Sequence, residues 1–138
     1  MKCVILAGGR GTRISELSKD IPKPMIKVLG KPIIYRIMMH YYKFGINEFI
    51  IAAGYKKKIL ENFFKDKKSK KFKVKVIDTG LKTMTGGRIK RLKKYLGNKP
   101  FLLTYGDGLS NLNIKKLINF HKKNKKIATL TAVRPPAR

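Results

Sequence analysis

The sequence predicts an α/β protein with a mainly parallel sheet, and two observations support this prediction. Short apolar runs alternate along the chain with segments of helical periodicity, which is typical of repeated strand–helix units. The first apolar run, 2–7, leads directly into a glycine-rich loop, as at the carboxyl end of a strand in an open α/β sheet. The 138 residues, 43 % of them hydrophobic, suffice for about one domain with an ordinary core.

Apolar runs bounded by turn residues predict the strands. They lie at 2–7, 48–53, 73–78, 100–104 and 127–133. We expect the last run to be a buried strand. Only the short segment 134–138 follows it, so nothing after it would cover the sheet or close a substrate pocket. We therefore expect the chain to be a truncated form of a longer domain.

Helical periodicity predicts helices at 32–44, 56–65, 86–96 and 113–124. Pro32 suits the first turn of the first helix because proline lacks the backbone N–H that is unpaired there. Gly45 and Gly97 suit the ends of the first and third helices, where a left-handed residue is common. Either Asn111 or Asn113 suits the N-cap of the fourth.

The charge is strongly basic, with 34 lysine and arginine residues against 7 acidic ones and a net charge of +27. Such a charge could attract nucleic acid or an anionic membrane surface. Most of the basic residues are lysines spread over predicted solvent faces, whereas base-reading proteins favour arginine interleaved with aromatic residues. We favour a solvated surface with no specific nucleic-acid partner, and keep a lysine-rich module that binds polyanions as an alternative.

Neither a membrane span nor a secretory leader is visible in the sequence. A span needs about 20 consecutive apolar residues, and no run approaches that length. The amino-terminal apolar run is short and ends in a glycine–arginine loop, unlike a signal peptide. Cys3 is the single cysteine and cannot form an internal disulfide, so we expect it to be a core residue of a cytoplasmic protein.

The loop after the first strand has the composition of a polyphosphate site. Its glycines, Gly8, Gly9 and Gly11, allow close backbone approach to a ligand. Arg10, Arg13 and Lys23 add positive charge beside the exposed amides. The loop lacks the Gly-Lys-Ser/Thr ending of a Walker A loop and the last glycine of the dinucleotide-binding fingerprint.

Two later segments also follow predicted strands. In the segment 78–91, Thr85 is placed to cap a helix, and Gly86 and Gly87 would leave amide groups open to an acceptor. Asp78, at the start of this segment, is expected to fix the loop that follows it. In the segment 101–108, Asp107 stands between two glycines at a strand end, where a carboxylate is well placed to bind Mg²⁺.

The glycine-rich loop 6–13, followed by Lys23-Pro24, resembles the signature of the sugar nucleotidyltransferases. The segment 83–88 is similar to the part of glucose-1-phosphate cytidylyltransferases that faces the base. The resemblance runs over the whole chain. It implies a Rossmann-like three-layer αβα fold in a truncated nucleotidyltransferase domain. Residues 1–138 would be the nucleotide-binding half of that single domain, with its C-terminal half absent.

For the complete enzyme, the resemblance implies that CTP and glucose 1-phosphate react to give CDP-glucose and pyrophosphate, with Mg²⁺ as cofactor. Arg13 and Lys23 would neutralise the phosphates, Thr83 and Arg88 would hold the nucleoside, and Asp107 would bind the metal. The backbone that cradles the nucleotide would come from Leu6, Ala7, Gly8, Gly9, Arg10, Gly11 and Thr12.

From this resemblance we expect the 138-residue chain to bind nucleotide with little or no turnover. The second metal-binding aspartate and most of the sugar-phosphate pocket belong to the half of the family's domain that this chain lacks. The full-length form is expected to be a homo-oligomer. A sugar-1-phosphate nucleotidyltransferase that uses dTTP, UTP or GTP remains an alternative.

Overall fold

The computed structural model describes residues 1–9, 20–65 and 71–134. Within these ranges, four strands form one parallel sheet in the order β5-β4-β1-β6, and a small antiparallel pair, β2 with β3, stands apart from it. The strands are β1 (Lys2–Ala7), β2 (Lys27–Val28), β3 (Lys31–Pro32), β4 (Glu48–Ala53), β5 (Lys73–Asp78) and β6 (Phe101–Tyr105). The α/β class and the parallel sheet are thus confirmed.

The described helices follow the predicted segments. They are α1 (Ile33–Tyr42), α2 (Lys57–Lys65), α3 (Thr85–Arg91), α4 (Lys93–Leu96) and α5 (Ile114–Asn124), with a short 3-10 helix at Lys23–Met25. The Asn113 side chain accepts a hydrogen bond from the Lys116 N–H, which confirms it as the cap of α5. Gly45 and Gly97 have φ of 83° and 64°, as expected for residues that follow helix ends.

The prediction of one helix over 86–96 with Thr85 as its cap is wrong in two details. The backbone N–H of Arg88 donates to the Met84 carbonyl, so Met84 is the N-cap and Thr85 is the first helical residue. The helix is also divided at Leu92, which bonds to Ile89 three residues before it. The side chain of Leu92 is fully buried at the point where α3 ends and α4 begins.

The sheet is the middle of three layers, as predicted. Alternate residues of β1 face opposite sides because successive side chains of a strand point in opposite directions. Cys3 and Ile5 pack in a core with α1, α2 and the start of α5, whereas Val4 and Leu6 pack in a second core with α3 and α4. The described helices include none that is long and apolar enough to cross a lipid bilayer.

The prediction of a strand at 127–133 is wrong. Residues 127–134 form no strand, and Ile127, Leu130 and Val133 are almost fully exposed. The physical reason is that a strand requires a partner. Within the described residues β6 pairs with β1 alone, and the apolar run does not lie along its other edge. His121 contacts Thr129 through Nδ1 and Oγ1 at 2.9 Å, which places the run beside α5.

The order of the strands determines where a ligand can bind. The chain moves from β1 to β4 and β5 on one side, then returns to place β6 on the other side of β1. This reversal opens a crevice at the carboxyl ends of β1 and β6, where open α/β sheets bind their ligands. The backbone N–H of Gly106 donates to the Leu6 carbonyl at 2.9 Å, so the two strand ends are level.

Chemical labelling of Cys3 tests this topology, because Cys3 lies in a central strand and has no exposed surface. Burial raises the pKa of its thiol, so the reactive thiolate is disfavoured in the folded state. We expect a maleimide reagent to label Cys3 at least about 100-fold more slowly in buffer than in concentrated urea. Equal labelling rates, measured by mass spectrometry, would contradict the central position of β1.

Candidate functional site

A cavity of about 300 Å³ lies at the crevice between β1 and β6. It brings together every predicted site residue that the structure describes. These residues are Leu6, Ala7, Gly8, Gly9, Lys23, Thr83, Arg88 and Asp107. Arg10, Gly11, Thr12 and Arg13 lie outside the described residues. The cavity therefore joins segments that are separated by up to about a hundred positions in the sequence.

Lys23 and Asp107 form an ion pair at one wall of this cavity, with 3.8 Å between Nζ and Oδ2. Their approach depends on Gly106, because a Cβ at this position would lie 2.7 Å from Pro24 Cγ and 3.1 Å from the Leu6 carbonyl oxygen. Pro24 is buried, so the 3-10 helix that carries Lys23 rests directly on the turn after β6. The Lys23 side chain is 19 % exposed and the Asp107 side chain 48 %. Both charges are thus accessible to a ligand.

The Arg88 side chain is buried at the other wall of the cavity, with 6 % of its surface exposed. Its Nη2 donates to the Gly8 carbonyl at 3.0 Å, and its Nη1 donates to the Ala53 and Gly80 carbonyls at 3.2 and 2.8 Å. Nη1 also donates to Thr79 Oγ1 at 2.7 Å. One guanidinium thereby ties α3 to the carboxyl ends of β1, β4 and β5.

The acceptors around the buried guanidinium of Arg88 are uncharged oxygens. Burial, and then the nearby charge of Arg91, lowers the pKa of Arg88 below its ordinary value. An arginine side chain nevertheless remains protonated in proteins at neutral pH. Carbonyl and hydroxyl oxygens therefore replace the water lost by the guanidinium. These hydrogen bonds join Nη1 and Nη2 of Arg88 to acceptors of the chain itself. The expected contact of Arg88 with a nucleotide remains a prediction.

Two glycines make room for this guanidinium. A Cβ on Gly8 would overlap the Arg88 side chain, and a Cβ on Gly54 would lie 2.8 Å from Nη1 and 2.9 Å from the Gly8 carbonyl oxygen. Neither position requires a left-handed backbone, so the reason for glycine is close approach rather than conformation. Gly9, one residue further, has nothing within 4 Å of an added Cβ.

Asp78 holds the loop between β5 and α3, as the sequence predicted. Its Oδ1 accepts from the Gly80 N–H at 2.8 Å, and its Oδ2 accepts from Lys57 Nζ at 2.8 Å. The hydrogen bond from Lys57, followed by that from Gly80, lowers the pKa of Asp78. The same contact raises the pKa of Lys57. Asp78 thus acts on the shape of the loop and does not line the cavity.

Sequence reasoning missed Arg91, which contacts the same loop. Its Nη1 donates to the Thr79 carbonyl at 2.6 Å and to Thr83 Oγ1 at 2.7 Å. The signal that was available is spacing, because Arg91 follows Arg88 by three residues and the two share a face of α3. Tyr105 and Met84 also line the cavity and were not predicted to do so.

The donor set suits a hard divalent cation whose shell is completed by a ligand. Among the described residues, no group of three or more histidine, cysteine, aspartate or glutamate side chains could enclose a metal ion. Asp107 brings one carboxylate to the cavity. Mg²⁺ is commonly held by one or two carboxylates together with substrate phosphates and water, so Asp107 fits this ion as a partial site.

Comparison with known proteins shows what this chain is similar to. A family model described as nucleotidyl transferase matches residues 2–138. Glucose-1-phosphate cytidylyltransferase from Salmonella typhimurium is 43 % identical over 160 residues, which covers 100 % of this chain and 62 % of that protein. Probable glucose-1-phosphate cytidylyltransferase from Bacillus subtilis is 41 % identical over 153 residues, covering 96 % and 60 %. This chain thus spans about three fifths of the length of these relatives.

A solved structure gives the same result for the fold. HddC from Yersinia pseudotuberculosis, in complex with GMP-PN, superposes with a TM-score of 0.76 at 35 % identity. The match covers 87 % of this chain and 53 % of that one. It confirms the expected three-layer fold.

Substitution of Gly8 tests the packing around Arg88. We expect Gly8→Ala to lower the free energy of unfolding by about 1–3 kcal/mol, because the new methyl group would displace a guanidinium that its acceptors hold in place. Gly9→Ala is the matched control and should change it by less than about 0.5 kcal/mol. Urea unfolding followed by circular dichroism measures both. Equal effects of the two substitutions would contradict the described packing.

The lowered pKa of Asp78 predicts a dependence of stability on pH. Its carboxylate stabilises the folded state fully above the ordinary pKa of 3.8, and this contribution is lost as the pH falls through the lower folded-state pKa. Lys57→Met should therefore reduce the loss of stability between pH 6 and pH 3. Lys58→Met, which removes an exposed neighbouring charge from α2, should leave that loss unchanged. Identical thermal unfolding profiles for both variants would show that the pair does not contribute.

Proposed function

This chain belongs to the nucleotidyl transferase family, and we propose that it is the nucleotide-binding part of a sugar-1-phosphate nucleotidyltransferase. The complete protein would join CTP and glucose 1-phosphate to give CDP-glucose and pyrophosphate. One observation supports this most strongly. Residues that sequence reasoning assigned to nucleotide, phosphate and metal converge on one cavity at the point where the strand order reverses.

The preference for CTP rests on similarity and on position. The relatives with 41 % and 43 % identity are named as cytidylyltransferases. The segment that resembles their base-facing region contributes Thr83, Met84, Thr85 and Arg88 to the cavity wall. A different nucleotide is the second candidate, since the similar HddC structure contains GMP-PN. The alternatives also include dTTP and UTP.

In the proposed reaction, an oxygen of the sugar 1-phosphate attacks the α-phosphorus of CTP, and pyrophosphate leaves. Such a displacement depends on positioning and charge neutralisation, and it requires no nucleophilic side chain. The backbone of Gly8 and Gly9 is proposed to cradle the nucleotide, and the space beside Gly9 is open for it. The Lys23 ammonium group stabilises negative charge on the α-phosphate. Arg88 positions the Gly8 segment, and Arg13 is proposed to neutralise the outer phosphates.

Asp107 is the proposed ligand for Mg²⁺ on this chain. A divalent cation bound there would neutralise phosphate charge and orient the two substrates. The carboxylate holds its place through Gly106, which anchors the turn to β1 and to Pro24. Lys23 Nζ, 3.8 Å from Asp107 Oδ2, balances the charge of this carboxylate. A cytoplasmic location and a homo-oligomeric complete protein remain predictions.

Calorimetric titration with CTP and Mg²⁺ tests this proposal, with dTTP, GTP and ATP as competitors at about 150 mM salt. We expect saturable binding that favours CTP. Lys23→Met should weaken it about 10-fold or more, since it removes a charged contact to phosphate. Lys27→Met removes an exposed charge four residues away and should have little effect. Asp107→Asn should weaken the dependence of binding on Mg²⁺.

Two outcomes would contradict the proposal. Equal weak binding of all four nucleotides with a steep salt dependence would mean that the lysine excess attracts anions. A clear preference for another nucleotide would support the second candidate. Turnover is tested separately, by pyrophosphate release from CTP and glucose 1-phosphate. We expect release by the complete protein and little or none by the 138-residue chain.

A further inference from the structure

We propose that Arg91 is a positioning residue that fixes the Thr83 hydroxyl as a hydrogen-bond donor toward the nucleoside. This inference rests on the proposed function, because it takes the nucleoside to bind beside Thr83. It identifies a determinant of nucleotide specificity that does not itself need to touch the ligand. The residue lies on α3, one turn after Arg88.

The first step is the geometry of the loop 79–83. Arg91 Nη1 donates both to the Thr79 carbonyl at 2.6 Å and to Thr83 Oγ1 at 2.7 Å. The Thr79 side chain, in turn, accepts from Arg88 and donates to the Ala53 carbonyl at 2.7 Å. The start of the loop is therefore held to the sheet, and Arg91 connects Thr83 to that fixed point.

The second step is the space around the two side chains. Gly80 has a φ of 85°, a left-handed conformation that glycine adopts without penalty. A Cβ there would overlap Arg91 Nη1 and lie 2.7 Å from Thr83 Oγ1. On the other side, a Cβ on Gly87 would lie 2.9 Å from Thr83 Cγ2. The absence of a Cβ at these two glycines thus leaves room for Thr83 and for the approach of Arg91 Nη1 to its hydroxyl.

The third step is the direction of the hydrogen bond. A guanidinium group can only donate, so Thr83 Oγ1 accepts from Arg91. This bond occupies a lone pair and leaves the hydroxyl hydrogen to be donated elsewhere. Thr83 lines the cavity, where an acceptor on the nucleoside would receive it. Cytosine has acceptors at O2 and N3, whereas uracil and thymine have acceptors at O2 and O4 and a donor at N3. The hydroxyl therefore favours cytosine where it faces position 3 of the base.

A double-mutant cycle on nucleotide binding tests this coupling. Arg91→Met and Thr83→Val should each weaken CTP binding by about 10-fold, and the double variant should be no weaker than either. Arg91→Lys should resemble Arg91→Met, because its ammonium ends one bond short of the position of Nη1. Thr83→Ser keeps the hydroxyl and should bind CTP nearly as the original chain does. Additive losses in the double variant would overturn the proposal.

The matched control is Lys90→Met, which removes the same charge from the adjacent, exposed position of α3. It should leave CTP binding unchanged at about 150 mM salt. An effect as large as that of Arg91→Met would show that the charge of the helix matters and that the bond to Thr83 does not.

A second readout needs no nucleotide, and it separates this inference from the proposed function. Three-bond couplings to Thr83 Cγ2 report its χ1 rotamer by nuclear magnetic resonance. We expect a single rotamer in the original chain and in Lys90→Met, and rotamer averaging in Arg91→Met. An unchanged rotamer in Arg91→Met would overturn the positioning role, whatever the chain binds. If Arg91→Met loses the single rotamer of Thr83 but the original chain shows no preference for CTP, the positioning role of Arg91 stands. Only the proposed nucleotide is then overturned.

Discussion

The buried guanidinium of Arg88 is the interaction on which the rest of the site depends. It is the point at which α3 meets the carboxyl ends of three parallel strands. A cation without water must have acceptors on several sides, and here they are carbonyls at the ends of the strands and in the loops that follow. The Ala53 and Gly8 carbonyls also accept the backbone N–H groups of Thr79 and Tyr55, so Arg88 joins a network that already connects the strand ends. The helix depends on these oxygens to accommodate the charge of Arg88.

This arrangement is possible because the parallel strands are level. Ala7, Ala53 and Asp78 are register partners across β1, β4 and β5, so the loops after them begin at the same height. Carbonyls of residues far apart in sequence then face one small volume. Glycine at positions 8 and 54 keeps that volume free for the side chain that fills it.

The two arginines of α3 have different roles. Arg88 holds the wall of the cavity, and Arg91 orients a hydroxyl on its surface. Across the cavity, Lys23 and Asp107 remain accessible and paired at 3.8 Å, a distance that leaves both charges able to interact with a phosphate and a cation. Rigid backbone on one side and accessible charge on the other suit chemistry that depends on positioning.

The sequence by itself determined most of the local elements and predicted many of the residues that line the cavity. The strand bounds 2–7, 48–53 and 73–78 follow from apolar runs between turn residues, and the cap at Asn113 follows from side-chain chemistry. Only the tertiary structure decided the strand order, the inward direction of Arg88 and the absence of a strand at 127–133. Each of these depends on partners distant in the chain. A periodic pattern shows that a segment can be a strand, but only a neighbouring strand can accept its hydrogen bonds.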